Sequence, residues 1–238
     1  MTGRRWIPDA RALLAATALV VACGQTAAAQ TSLEYSPEAR FQLDLRVPDA
    51  ALATLLPQGW ALNISAQGPA KDVNLRLVFI DRITINAPDG KPIGRSGSRL
   101  VYLVVPVKDA AGATGQLVIG GITGDPADAP GPFDVYLPAA SHSMRRTTES
   151  GSGPVLDTQD WMFTAAGGER LELHVKYERG TGTRGKPADT RFYSAKTPAT
   201  VQIHRQEQMV DILRNPTTNP PDRVKEFTFK AGGGSFAK

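Results

Sequence analysis

Between Asp72 and His204 the sequence is built of short apolar or alternating runs punctuated by Gly and Pro, and this pattern limits the fold more than any other feature. Residues 72–80 (DVNLRLVFI) alternate and then turn wholly apolar, and residues 82–85 continue the run. Residues 100–107 (LVYLVVPV) read as a buried strand, residues 115–119 (GQLVI) as another, and residues 108–115 as the hairpin loop between them. Residues 161–164 lead through the turn 165–168 into residues 169–177 (ERLELHVKY), a second hairpin. Residues 200–204 (TVQIH) add a further strand. Helical signal is sparse. Residues 48–56 read as one short helix with Asp49 as its cap, and residues 206–214 (QEQMVDILR) as another. Strands at this spacing predict a mainly β (α+β) fold, in which antiparallel curved sheets close into a barrel with a few short helices.

The ends of the chain bear on compartment. Arg4, Arg5 and Arg11 precede the apolar residues 13–22 (LLAATALVVA), a run too short to span a bilayer and about right for a signal peptide. Two processing sites compete. Ala27-Ala28-Ala29 is an A-x-A site that makes residues 1–29 the leader. Val20-Val21-Ala22-Cys23-Gly24 resembles a lipobox, in which residues 1–22 are the leader and Cys23 is acylated and tethers the chain to a membrane. Both place the chain in the periplasm or cell envelope. Cys23 is the only cysteine, so no disulfide forms within the chain and no cysteine remains in the folded part for catalysis or for thiolate metal sites. Residues 30–214 read as a single domain. Residues 215–238 are either disordered or supply an edge strand over residues 224–229.

The net charge of +4 owes part of its size to the leader arginines, and the other basic residues are scattered with no long run. The chain therefore has no nucleic-acid footprint. His142, His174 and His204 are far apart and form no H-x-H or H-E-x-x-H pair, so no metal is expected. Glycine–serine turns at Gly94–Gly97 and Ser150–Gly153 are not G-x-S-x-G elbows. Residues 120–124 (GGITG) lack the lysine of a P-loop. No cofactor is implied.

The order of motifs carries a resemblance. A strand is followed by VPDAALATLLPQGW (residues 47–60), then LVFIDR (77–82), LVYLVVPV (100–107), a hairpin, and GPFDVYLPAA (131–140). This order resembles the acetoacetate decarboxylase superfamily over roughly residues 41–200. The resemblance implies a curved or barrel-like sheet around a mostly apolar cavity that holds small acids. It also implies a reactive lysine just after the turn proline. If Pro138 is that proline, the lysine position falls on Ala139 or Ala140, and neither forms an imine. The family's glutamate early in the long strand falls near Leu100, and no acid lies between Gly94 and Val107. The Schiff-base mechanism is therefore not carried over. Lys71, Lys108, Lys176 and Lys196 are the lysines in or beside strands where a relocated nucleophile would have to stand.

The candidate ligand-binding residues cluster in LPAASHSMRR (137–146). Strand alternation puts His142 and Arg146 on one face with Ala140, and Arg145 on the other with Ser141 and Ser143. Arginine's planar fork suits carboxylate or phosphate, and a histidine beside it suits acid/base or hydrogen-bonding work. Arg99 opens the long strand where the family has its acid. His174 stands among Glu172, Lys176 and Glu178 on one face of its strand, with Leu171, Leu173, Val175 and Tyr177 on the other. Each has a plainer reading as solvent-facing strand charge, as does Arg82. Trp60, Trp161, Phe163 and Tyr136 read first as core and second as pocket wall. The expected partner is a small, partly apolar, anionic molecule, bound with or without acid/base chemistry. The alternative is a non-catalytic envelope protein or lipoprotein for a hydrophobic ligand or a protein partner.

Overall fold

The computed structural model describes residues 30–68, 70–87, 89–94, 97–125, 129, 133–181, 183–184, 188–210, 212–213 and 223–237. The leader reading and Cys23 lie outside the described residues. The strands are β1 (Gln30–Leu45), β2 (Ala61–Leu62), β3 (Leu75–Arg82), β4 (Ser98–Lys108), β5 (Thr114–Thr123), β6 (Tyr136–Glu149), β7 (Leu156–Ala165), β8 (Arg170–Glu178), β9 (Thr183–Arg184), β10 (Ala188–Ser194), β11 (Val201–Val210), β12 (Ile212–Leu213) and β13 (Val224–Gly232). One short helix, α1 (Asp49–Ala53), follows β1. The chain is mainly β, in a curled, half-barrel mixed sheet.

The sheet is mixed where the sequence suggested antiparallel pairing throughout. β1–β11, β10–β5 and β5–β6 are parallel, while β1–β3, β3–β4, β4–β5 and β10–β11 are antiparallel. Those pairings run in a ring: β4, β5, β10, β11, β1, β3 and back to β4. β5 is the joint. One of its edges pairs with β4 along its length, while the other pairs with β10 at residues 116–118 and with β6 at 121–123. From β6 the chain continues as an antiparallel meander, β6–β7–β8, finished by β13. Gly121 stands where β5 changes neighbour. A β-carbon there would lie 2.6 Å from the Val101 carbonyl oxygen and 2.8 Å from the Tyr136 ring, so only glycine lets β6 dock.

Three apolar clusters follow from the alternation. Phe41, Leu43, Leu77, Phe79, Val101 and Ile122 on one face of the curled sheet meet Trp161, Phe163, Leu171, Leu173 and Val175 of the meander. Phe79 sits at the centre, with ring centroids 5.9 Å from Trp161, 6.4 Å from Phe163 and 6.3 Å from Phe229. The opposite face of β3 and β4 carries Val78, Ile80, Leu100, Tyr102 and Val104, packed with Tyr136 and Phe192 on the concave side. The third cluster joins Leu52 of α1 to Val105, Val107, Leu117 and Tyr193, with Trp60 edge-on to Tyr193 at 4.7 Å. Trp161, Phe163 and Tyr136 are therefore core residues, as their plainer reading had it.

Four local expectations need correction. Residues 206–210 are strand, not helix. Parallel pairing with β1 over 206–209, and antiparallel pairing with β10 at 206 and with β9 at 209–210, hold the backbone extended and override weak local propensity. Asp49 is not the helix cap. Pro48 holds that position, and the Asp49 carboxylate accepts hydrogen bonds from Arg46 (2.7 and 3.0 Å) and Asn74 (2.8 Å). β3 stops at Arg82, and Ile83 is 65% exposed. Arg82 is not a solvent charge, being 1% exposed. At the C-terminal end, residues 224–232 are the edge strand β13 on β8, with Phe229 packed on the core.

Candidate functional site

β1 alternates Glu38, Arg40, Gln42 and Asp44 with Ala39, Phe41, Leu43 and Leu45. The apolar set faces the meander. The polar set points the other way, into the concavity, because β3 stands opposite it with Arg82, Ile80, Val78 and Arg76. Glu38 faces Arg82 and Asp44 faces Arg76, so opposite charges meet at both ends of the ladder. A cavity of about 240 Å³ lies here, lined by Arg40, Gln42, Arg76, Arg82, Tyr102 and Gln116 among apolar Val78, Ile80, Val104 and Phe192.

The charges are held in pairs. Glu38, its carboxylate fully buried, lies 2.5 Å from an Arg40 guanidinium nitrogen and 3.8 Å from Arg82 Nε. Asp44, equally buried, accepts a hydrogen bond from Gln42 Nε2 (2.8 Å) and lies 3.4 Å from Arg76 Nε. Burial works against the charge on Arg40, but Glu38 outweighs it and holds the guanidinium above its ordinary pKa. Burial pushes the Tyr102 and Tyr136 hydroxyls up, so both are neutral phenols. Among the described side chains that line or border the cavity, three arginines stand against two carboxylates. Some hydrogen-bonding capacity is also unspent. Arg40 Nε, Arg76 Nε and Gln116 Oε1 are buried with no hydrogen-bond partner among the described residues. Such groups are costly to leave unpaired.

The residues singled out from sequence lie elsewhere. A bulge between Ala139 and Ser141 breaks the simple alternation of β6. Ala139, not Ala140, therefore shares the inner face with His142. Neither alanine reaches the lumen: Ala139 packs on the core and Ala140 is exposed. His142 stacks toward Phe163 at 6.1 Å and presses its Nε2 on Gly124. It lies within electrostatic reach of Arg99, which ion-pairs its cross-strand neighbour Asp81 at 2.8 Å. Asp81 alternates with the inward-facing Arg82, so this group sits on the side of β3–β4 away from the cavity. Burial, then the Arg99 charge, lower the His142 pKa against the pull of Asp81, so the imidazole is neutral at pH 7.

Arg146 is separate again. Its guanidinium donates to the buried Asp157 carboxylate (Nε 3.0 Å), which also accepts from Thr148 (2.5 Å) and Tyr177 (3.3 Å). Gln159 joins Tyr177 (2.6 Å) to Trp161 Nε1 (2.9 Å). This network ties the meander together. Arg145 and His174 lie on the meander's outer face, along an open groove of about 560 Å³ shared with Asp160, Glu172 and Lys230. His174 is bonded to Asp160 at 2.7 Å, and Arg170 pairs with Glu172. That face is the more solvated, and its two carboxylates are already paired with His174 and Arg170, so the cavity with buried polar groups is the better candidate. The lysines offered as relocated nucleophiles are also outside it. Lys71, Lys108 and Lys196 are exposed, and Lys176 is on the outer face 3.6 Å from Glu149.

The Asp157 network makes a pH prediction. Burial raises the carboxyl pKa, but hydrogen bonds from Arg146 and Thr148 outweigh it and hold the group below the usual carboxylate range. A depressed folded pKa stabilises above the unfolded value, near pH 4, and the gain is lost as pH falls through the folded value. Asp157→Asn is expected to cost about 1–3 kcal/mol at pH 7. In urea unfolding, its difference from the parent chain should shrink at pH 3.

Arg40, Arg76, Gln42 and Gln116 are the site residues the sequence reading missed. Among the described residues no cluster of His, Cys, Asp and Glu could hold a metal ion, and no helix is long and apolar enough to cross a membrane. Comparison with protein-family models, curated proteins and solved structures finds no match for this chain.

Proposed function

We propose that the lumen binds a small organic anion, a carboxylate on a short apolar body, and that the chain is an exported ligand-binding protein of acetoacetate-decarboxylase-like build. The observation that carries this reading is a half-open cavity bordered, among the described side chains, by three arginines and two carboxylates, in which Arg40 Nε and Arg76 Nε are buried without a hydrogen bond. Arginine pairs with carboxylates in a planar, two-point geometry. Val78, Ile80, Val104 and Phe192 suit an apolar body, and the unpaired Gln116 oxygen suits a donor on the ligand. A volume of about 240 Å³ is below that of drug-sized sites, roughly 300–1,000 Å³, so the ligand is small. The described lining residues include no lysine, and the reading is therefore guanidinium–carboxylate binding without an imine. A purely hydrophobic ligand fits less well, since it would leave Arg40 Nε, Arg76 Nε and Gln116 Oε1 buried without hydrogen bonds. The reading of residues 1–29 or 1–22 as a leader supports binding in the periplasm or cell envelope.

Isothermal titration of the full chain with pyruvate, acetoacetate and benzoate tests the proposal. Arg76 is the lumen arginine with the most solvent contact, its side chain 23% exposed, so its replacement perturbs the fold least. Arg76→Met should weaken carboxylate binding about ten- to hundredfold, the loss of a charged hydrogen bond. Equal affinity in Arg76→Met, or no binding of any of the three acids at millimolar concentration, would sink the reading.

A further inference from the structure

β13 ends the sheet: it pairs with β8 on one side, and among the described residues no strand pairs with its other edge. Its regular stretch is short. A bulge between Val224 and Glu226 bounds it on one side and Gly232 on the other. Within it Glu226, Thr228 and Lys230 face outward, with Thr228 and Lys230 on the groove of the meander's outer face. Phe227 and Phe229 face the core side. Phe229 is packed there, but Phe227 is 38% exposed, one of few large apolar side chains left in solvent.

We propose that this edge pairs with the same edge of a second copy of the chain, antiparallel about a two-fold axis through Thr228. The argument is one of register. An antiparallel pairing that extends a sheet keeps outer side chains opposite outer ones, so only alternate registers are allowed. Centred on Thr228, the pairing sets Glu226 against Lys230 twice, Phe227 against Phe229 twice, and Thr228 against its own copy. Centred on Phe227, it sets Glu226 against Thr228 and Lys230 against Val224. Centred on Phe229, it sets Glu226 against Gly232 and Thr228 against Lys230. Only the Thr228 register sets Glu226 against Lys230, and it also covers Phe227 with Phe229. Opposite-charge and aromatic cross-strand pairs are the units that stabilise such ladders, and a self-complementary patch is what an isologous dimer requires.

Sedimentation of the full chain over a concentration series tests this. The parent is expected to dimerise reversibly. Glu226→Lys turns both Glu–Lys pairs into Lys–Lys pairs and should raise the dimer dissociation constant about tenfold. Adding Lys230→Glu should restore it to within about threefold of the parent. The double swap separates the interface from the fold. Within one chain it sets Lys against Lys176 and Glu against Glu172, which can only harm the β8–β13 ladder. Circular dichroism checks that each variant is folded. A parent chain that stays monomeric at all concentrations overturns the proposal, and Lys225 and Lys230 then act as guards against edge pairing. Dimerisation that Glu226→Lys leaves unchanged, or that the double swap fails to restore, overturns it as well.

Discussion

Replacing Phe79 with alanine is expected to lower the free energy of unfolding by about 3–5 kcal/mol. Phe79 has no exposed surface and is in ring contact with Phe41, Trp161, Phe163 and Phe229. Those four rings come from three parts of the fold: β1, the β7 strand of the meander, and the edge strand β13. No one of them can slide into the vacated space without breaking its own ladder, so the cavity should collapse poorly. For a chain of this size the melting temperature should fall by about 6–20 °C, read by calorimetry. A fall of only a degree or two would mean that the meander does not depend on this contact to dock on the curled sheet. Phe79→Leu should recover much of the loss, since it restores apolar volume.

The second large effect concerns the lumen. Glu38→Gln removes the carboxylate that stands between Arg40 and Arg82. Breaking a buried ion pair from one side costs about 3–5 kcal/mol, because the remaining charges stay buried without compensation. The same change removes one negative charge from the border of the cavity. Stability and affinity should therefore move in opposite directions: the variant melts lower but binds a small carboxylate about tenfold more tightly. Saturating ligand should then return part of the lost stability, on the order of 2.7 kcal/mol at a hundred times the dissociation constant. Thermal melts with and without benzoate measure both effects. A variant that is destabilised but gains no affinity would separate the ion pairs from ligand binding and leave them a purely structural role.

The strand order along the chain was largely legible, because alternation and apolar runs are local. β3, β4, β5, β7 and β8 overlap the runs 72–80, 100–107, 115–119, 161–164 and 169–177 that signal them, with the structure extending β5 and β7 by several residues, and His174 stands on the face its neighbours predicted. What was not legible is where a polar face looks. Glu38, Arg40, Gln42 and Asp44 have the same alternation as Glu172, His174, Lys176 and Glu178. The first set turns into the buried concave side and the second faces water, and only the curl of the sheet tells them apart. Curl depends on parallel pairings such as that of residues 30–37 with 202–209, which no local window contains. One signal was available: the order Glu-x-Arg-x-Gln-x-Asp in β1 is charge-complementary to Arg-x-Val-x-Ile-x-Arg in β3. For LPAASHSMRR the spacing argument failed at the bulge, since one inserted residue reverses which alanine accompanies His142.

The split allegiance of β5 also orders events in time. The meander β6–β7–β8 joins neighbours across short turns, and local contacts of that kind form early because little chain entropy is lost in closing them. The ladder of β1 with β11 joins residues near 30 to residues near 202 and must wait until almost the whole chain is present. A chain emerging N-terminus first would thus hold a docked meander before it encloses any lumen. Its three lumen arginines would stay in water until the last strands arrive. Ligand capture of the kind proposed would in this sense report that synthesis and closure are complete.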